Sequence, residues 1–179
     1  MTEKEKYDKM HSIPGYSPGP GIAHVRTAQE WIKGDTVIDF GCGTGDAANA
    51  FSELGNKVYC VDISRIGLRH DLPFFECPLH ELPKKLPRAP WGFCCDVMEH
   101  IPEEWVCSSL ESMAKKVKAC FFTISGVHDS WGKRIGQTLH MTVKPSAWWV
   151  KVIGQYWEKV TLLSDNGEYY TIIAQGPKC

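Results

Sequence analysis

The sequence predicts an α/β protein built on one mostly parallel, doubly wound sheet. Three observations carry that prediction. Short apolar runs rich in β-branched residues alternate with helical stretches along the chain. One of these runs, Thr36–Phe40, ends in Gly41-Cys42-Gly43-Thr44-Gly45 and feeds straight into a helix. The last two runs flank Ser164-Asp165-Asn166-Gly167, whose Asn-Gly pair is a strong hairpin signal and makes them antiparallel neighbours. The 179 residues suit a single core.

Residues 1–20 begin polar and become rich in Gly and Pro over Ile13–Pro20, a composition that opposes regular structure, so they read as an arm or lid ahead of a domain over 21–179. Ile22, Ala23, Val25, Ala28, Trp31 and Ile32 follow a helical period that Lys33-Gly34-Asp35 stops. After the first strand and its glycine turn, residues 46–54 form a helix closed by Gly55. Residues 57–61 form a second strand ending at Asp62, and 73–77 a weak third. Prolines at 78, 83, 87 and 90 exclude a long helix in the next crossover. A fourth strand, 92–95, leads into Asp96; a helix over 103–117 and a fifth strand over 119–124 follow. Residues 125–144 are a polar loop, and 145–156 a Trp-rich helix before the hairpin.

Composition narrows the function. With 43% hydrophobic and 23% charged residues, the chain is an ordinary globular one, and its net charge of -1 gives no overall attraction for nucleic acid or an anionic membrane. The basic clusters at Lys84, Lys85, Arg88 and at Lys115, Lys116, Lys118 read as solvated surface. None of the eight cysteines forms a Cys-x-x-Cys pair, and several sit in apolar runs, which implies a reduced, cytoplasmic setting. Residues 1–10 are charged, and no run of about 18 apolar residues occurs, so neither a secretory signal nor a membrane span is expected.

A strand that ends in Gly-x-Gly-x-Gly before a helix lets bare backbone approach a nucleotide-like ligand. The flanking acids decide which one. Asp46 stands where a dinucleotide site wants Gly or Ala beside a pyrophosphate, and Asp39 lies two residues before Gly41. Carboxylates there suit a cation, and S-adenosylmethionine carries a sulfonium and an ammonium. Asp62, at the end of the second strand, is placed to accept hydrogen bonds from ribose hydroxyls.

Val37-Ile38-Asp39-Phe40-Gly41-Cys42-Gly43-Thr44-Gly45, followed by Val58-Tyr59-Cys60-Val61-Asp62-Ile63, closely resembles motifs I and II of class I S-adenosylmethionine-dependent methyltransferases, which have a Rossmann-like fold. Asp96-Val97-Met98-Glu99-His100-Ile101-Pro102 resembles the segment that follows their fourth strand. The resemblance implies a three-layer sandwich with seven strands in the order 3-2-1-4-5-7-6, strand seven antiparallel, and S-adenosyl-L-methionine as cofactor. It also implies a cofactor set of Asp39, Gly41, Cys42, Gly43, Gly45, Asp62, Ile63 and Asp96. The backbone of Leu79 serves the adenine, because Pro78 stands where the family carries an acidic residue.

Methyl transfer needs an oriented nucleophile relieved of its proton. Asp96, Glu99 and His100 follow strand four at the rim of the sheet, and helical spacing would direct them to one side. His100 is the candidate general base. A second reading is a divalent metal: Asp96-x-x-Glu99-His100 is similar to the Glu-x-x-Glu-His of ubiquinone-pathway and small-RNA 2′-O-methyltransferases, with His128 or His140 as a further ligand. Metal dependence is the less favoured of the two. Tyr16, His128, Trp131, His140, Trp148 and Trp149 are available to cover the acceptor, although at least one of the adjacent pair Trp148 and Trp149 belongs to the core.

The predicted function is methyl transfer to an oxygen or nitrogen of a small molecule or a terminal group. Three alternatives stand beside it: a metal-assisted O-methyltransferase acting on an RNA or quinol-like hydroxyl, a non-catalytic S-adenosylmethionine-binding partner subunit, and an NAD-dependent oxidoreductase, which Asp39 and Asp46 disfavour. A nucleic-acid acceptor is not favoured, the sequence lacks the Asn/Asp-Pro-Pro-aromatic motif of DNA amino-methyltransferases, and it leaves the oligomeric state open.

Overall fold

In a computed structural model of the chain, residues 1–16, 21–33 and 35–178 are described. The Ser17–Pro20 part of the arm, the Gly34 stop and Cys179 lie outside them.

Seven strands form one sheet: β1 (Thr36–Phe40), β2 (Lys57–Asp62), β3 (Phe74–Glu76), β4 (Ala89–Cys95), β5 (Val117–Ser125), β6 (Trp157–Asp165) and β7 (Tyr169–Pro177). Their order is β3-β2-β1-β4-β5-β7-β6, parallel except for β7, which runs antiparallel between β5 and β6. The helices are α1 (Glu3–His11), α2 (Gly21–Ala28), α3 (Asp46–Glu53), α4 (Glu103–Ala114) and α5 (Ser146–Ile153).

Side-chain alternation along the strands builds three layers. Val37, Val58, Cys60, Phe93 and Phe121 face α2 and α3, where Ala47, Ala48 and Phe51 meet them. Their neighbours Ile38, Phe40, Val61, Cys94 and Phe122 face the opposite side, under Val106 and Leu110 of α4 and Trp149 and Ile153 of α5. Parallel strands covered on both faces read as continuous apolar runs, which is why β1 and β5 were legible. The hairpin turns at Asn166-Gly167, with Gly167 at φ 88°; only glycine takes up that conformation freely.

The first element departs from expectation. Residues 3–11 are helical although they carry few apolar groups. A reciprocal capping box nucleates the helix: the Thr2 hydroxyl accepts from the Glu5 N–H at 3.2 Å and the Glu5 carboxylate from the Thr2 N–H at 2.8 Å. Lys4 and Asp8 add an i,i+4 ion pair at 3.0 Å. Tertiary contacts hold it down: Met10 is buried, Asp8 accepts from the Ser64 hydroxyl at 2.6 Å, and Lys4 reaches Glu76 at 2.9 Å. Elsewhere the crossover 79–88 contains only a 3-10 turn over Leu79–Glu81, and the loop after β5 contains another over Trp131–Ile135. Among the described residues, no helix is long and apolar enough to cross a membrane, and the seven cysteines are free thiols.

Candidate active site

In this strand order the chain reverses direction between β1 and β4, and the carboxyl ends of β1, β2 and β4 open there on one cleft, the place where such sheets bind ligands. Counted out to the surrounding solvent, the cleft encloses about 1250 Å³, and α1 roofs it with Tyr7 and His11.

The glycine turn forms its floor. The N–H groups of Gly41 and Cys42 both donate to the Val61 carbonyl, at 2.7 and 3.1 Å, which ties the turn to β2. Gly41 has φ 74°, and a Cβ there would overlap the Val97 side chain, so no other residue fits. Gly43 donates to Asp62 Oδ2 at 2.8 Å, and Ser64 donates to Oδ1 at 3.0 Å. Each Asp62 oxygen keeps a second lone pair for a ligand hydroxyl. Gly45 caps α3, while Cys42 and Ile63 line the cleft wall. Leu79 also lines it and opens the 3-10 turn, so its N–H has no acceptor within that turn.

Asp39 lies beneath this turn, 3% exposed, and its Oδ2 has no hydrogen-bond partner. Burial, reinforced by the negative charge of Asp62, pushes its pKa up to about 8. An acid so placed lacks a positive counterpart. Asp46, at the start of α3, has its charge engaged: it accepts from the Thr44 hydroxyl at 2.7 Å, and His70 Nε2 lies 2.8 Å from it. These bonds outweigh burial and hold its pKa below the usual value. A pyrophosphate at that helix start would meet a carboxylate.

At the end of β4 the segment is not α-helical. Asp96 has φ 54°, the only described non-glycine residue at positive φ, and Met98–His100 form a 3-10 turn. Asp96 lines the cleft, and its carboxylate lies against the Tyr169 hydroxyl and Glu99; burial raises its pKa. Glu99 is wholly buried beside Asp96, with Oε1 accepting from the Ser125 N–H at 2.9 Å. Desolvation, then the charge of Asp96, raises the Glu99 pKa well above the carboxylate range. His100 Nδ1 and the Tyr7 hydroxyl are 2.9 Å apart, and the His140 ring meets the His100 ring edge-on at 4.6 Å. Desolvation, with His140 nearby, lowers the His100 pKa to about 3. The imidazole is therefore neutral near pH 7.

The predicted metal ligands are redistributed. Donor atoms of Glu99, His100 and His140 lie within 4.8 Å of one another, the one such group among the described residues. Asp96 is outside it. His128 is exposed and does not join. The expected aromatic cover is also corrected. Tyr16 does line the cleft, with Trp131 packed edge-on behind it at 5.7 Å. Trp149 is entirely buried in the core with Trp148 against it, and neither faces the cleft. The sequence reading missed Tyr7, Ile22, His80 and Trp105, which do.

The chain has the fold of the class I S-adenosylmethionine-dependent methyltransferases. Solved structures with that architecture superpose on it along nearly its whole length. The N-methyltransferase NodS of Bradyrhizobium japonicum, in complex with S-adenosyl-L-homocysteine, has a TM-score of 0.69 at 7% identity and covers 98% of each chain. The 1,6-didemethyltoxoflavin-N1-methyltransferase of Burkholderia thailandensis, bound to its substrate and S-adenosylhomocysteine, has a TM-score of 0.67 at 14% identity, over 98% of this chain and 88% of its own. Phosphoethanolamine N-methyltransferase 2 of Haemonchus contortus, in complex with S-adenosyl-L-methionine, scores 0.68 at 14% identity, over 98% of this chain and 57% of its own. Among curated proteins, the cypemycin N-terminal methyltransferase of a Streptomyces species is 40% identical over 67 residues, 37% of this chain. The match spans about a quarter (26%) of that relative's length. No protein-family model matches the chain.

Proposed function

We propose that this chain transfers a methyl group from S-adenosyl-L-methionine to an oxygen or nitrogen of a small molecule or a terminal group. The observation that carries this reading is the buried Asp39 carboxylate, whose Oδ2 has no partner, under a glycine turn whose other acid, Asp62, is held by two backbone N–H groups. A cationic adenosyl ligand supplies what both lack. Gly41, Cys42, Gly43 and Gly45 give its methionine end a bare backbone, Asp39 offsets the ammonium, Asp62 takes the ribose, and Ile63 and Leu79 flank the base. The described part of the arm, residues 1–16, acts as a lid, with Tyr7 closing on the cleft. The cofactor supplies an electrophilic methyl on sulfur. The protein's part is to orient the acceptor, exclude water and take up one proton.

Calorimetric titration tests this directly. S-adenosylhomocysteine should bind at micromolar or tighter concentration and NAD should not; uptake of NAD in place of the adenosyl compound would overturn the reading.

Metal-assisted methyl transfer to a hydroxyl is a second reading, favoured by the grouping of Glu99, His100 and His140. Two imidazoles and a carboxylate suit Mn²⁺ or Fe²⁺. It predicts that exhaustive chelation abolishes turnover and that Mn²⁺ restores it.

A further inference from the structure

The strand order lays out the cleft. The glycine turn follows β1, Asp62 ends β2, and Cys77 follows β3, which pairs in parallel with β2. The Cys77 N–H donates to the Asp62 carbonyl at 2.9 Å, so the stretch after β3 is the wall beside Asp62 on the side away from the glycine turn. On the reading given above, a ligand with its ammonium over β1 and its ribose on Asp62 carries its base to that wall. The wall offers the base little from its own side chains. Cys77 has a weak donor, Pro78 and Leu79 have no polar side-chain atom, and His80 lays its ring against Trp105.

A polar atom comes instead from the helix packed against this wall. One face of α4 meets residues 79–82 with Trp105, Ser109 and Ser112, spaced i, i+4 and i+7. Trp105 lies 4.5 Å from the His80 ring between centroids, and the Ser112 hydroxyl accepts from the Leu82 N–H at 3.3 Å. Ser109 stands between them and lines the cleft, wholly buried, yet its Oγ has no hydrogen-bond partner. The serine beside it is engaged, since Ser108 donates to the Trp105 carbonyl at 3.1 Å. A buried hydroxyl left unpaired costs stability, and folded proteins keep few of them. Alanine would suit a buried helix face better on propensity and desolvation alone. The hydroxyl at 109 therefore answers to something other than packing.

We infer that Ser109 is a specificity-determining residue for the cofactor: its hydroxyl binds the 6-amino group of the adenine, and Trp105 covers the ring. The inference rests on the methyltransferase reading and moves side-chain recognition of the base from the loop after β3 to α4. A serine oxygen has two lone pairs and accepts from an amino N–H. The Leu79 N–H, which has no acceptor within its turn, meets the ring nitrogen next to that amino group. Acceptor and donor side by side complement the amino edge of adenine. A 6-oxo purine would turn its ring N–H onto the Leu79 N–H, two donors face to face. Trp105 is 40% exposed at the mouth of the cleft, which leaves an indole face free for a base to stack on.

The test is a calorimetric cycle on wild-type protein and Ser109→Ala, with S-adenosylhomocysteine and with its analogue in which hydrogen replaces the 6-amino group. Wild type should bind the analogue about ten-fold more weakly than S-adenosylhomocysteine, the scale of one hydrogen bond whose buried partner is left unpaired. Ser109→Ala should lose about ten-fold in S-adenosylhomocysteine affinity. It should also hold the two ligands within about three-fold of each other, because the group that tells them apart is gone. A serine that only packed would not couple to the 6-amino group. The inference is overturned if wild type binds both ligands alike, a result that needs no variant to fold, or if S109A separates them as wild type does. Failure of wild-type protein to take up S-adenosylhomocysteine at all would sink the methyltransferase reading itself, so the two failures are told apart.

Discussion

The Tyr7 hydroxyl on the first helix lies 2.9 Å from Nδ1 of His100, joining the amino-terminal segment to the end of β4. Both groups are shielded from water, and burial raises the Tyr7 pKa far above its usual value, so the bond is one between neutral partners. Tyr7→Phe leaves a ring nitrogen without its partner. A cost of about 1–3 kcal/mol is expected by chemical denaturation, with faster amide exchange over residues 3–11.

Asp62 serves two backbone donors as well as the proposed ribose. Asp62→Ala should lower S-adenosylhomocysteine affinity about ten- to hundred-fold by calorimetry, the weight of hydrogen bonds to a charged group. Asp62→Asn keeps one acceptor oxygen and should fall between the two.

Gly41→Ala meets both the positive φ and the Val97 side chain. Adenosyl-ligand binding should be lost and stability should fall by about 1–3 kcal/mol. Adding Val97→Ala removes the overlap but not the backbone strain, so it should recover only part of the stability, measured by urea titration.

The pKa of Asp39, held at about 8 by burial, has a definite sign. An unfolded aspartate titrates near 3.9, so between about pH 4 and 8 the native state binds more protons than the unfolded one. Stability therefore falls as pH rises through that window. Asp39→Asn should flatten the slope in thermal melts. Uptake of a cationic ligand should also release a proton near pH 7, read from the buffer dependence of the binding enthalpy.

Much of this was legible because it rests on local rules. The β1 run, the alternating glycines and Asp62 fix the glycine-turn end of the cleft, and Asn166-Gly167 identifies the hairpin. The acceptor end was read less well. Helix α1 has no apolar stripe and owes its existence to Thr2, Glu5 and docking through Asp8 and Met10; the Thr2-x-x-Glu5 spacing was the one signal available. Its side chains Tyr7 and His11 therefore went unnoticed. Which loop histidine joins Glu99 and His100 is a matter of tertiary path, settled by the bond between His140 and the Val127 carbonyl, and no spacing in sequence encodes it. Asp46 was read as an obstacle to pyrophosphate, but its contact with His70, 24 positions on, is a matter of tertiary path that no local pattern encodes.

The insertion of β7 between β5 and β6 sets the order in which the molecule can be completed. While the chain is being synthesised, β5 presents a bare row of amide and carbonyl groups until the last nine-residue strand, Tyr169–Pro177, emerges and slots in. During that interval the nascent protein carries an open edge able to recruit a stranger's strand. A stop codon inside the hairpin would make that hazard permanent and send the product to aggregation, with the glycine turn fully translated.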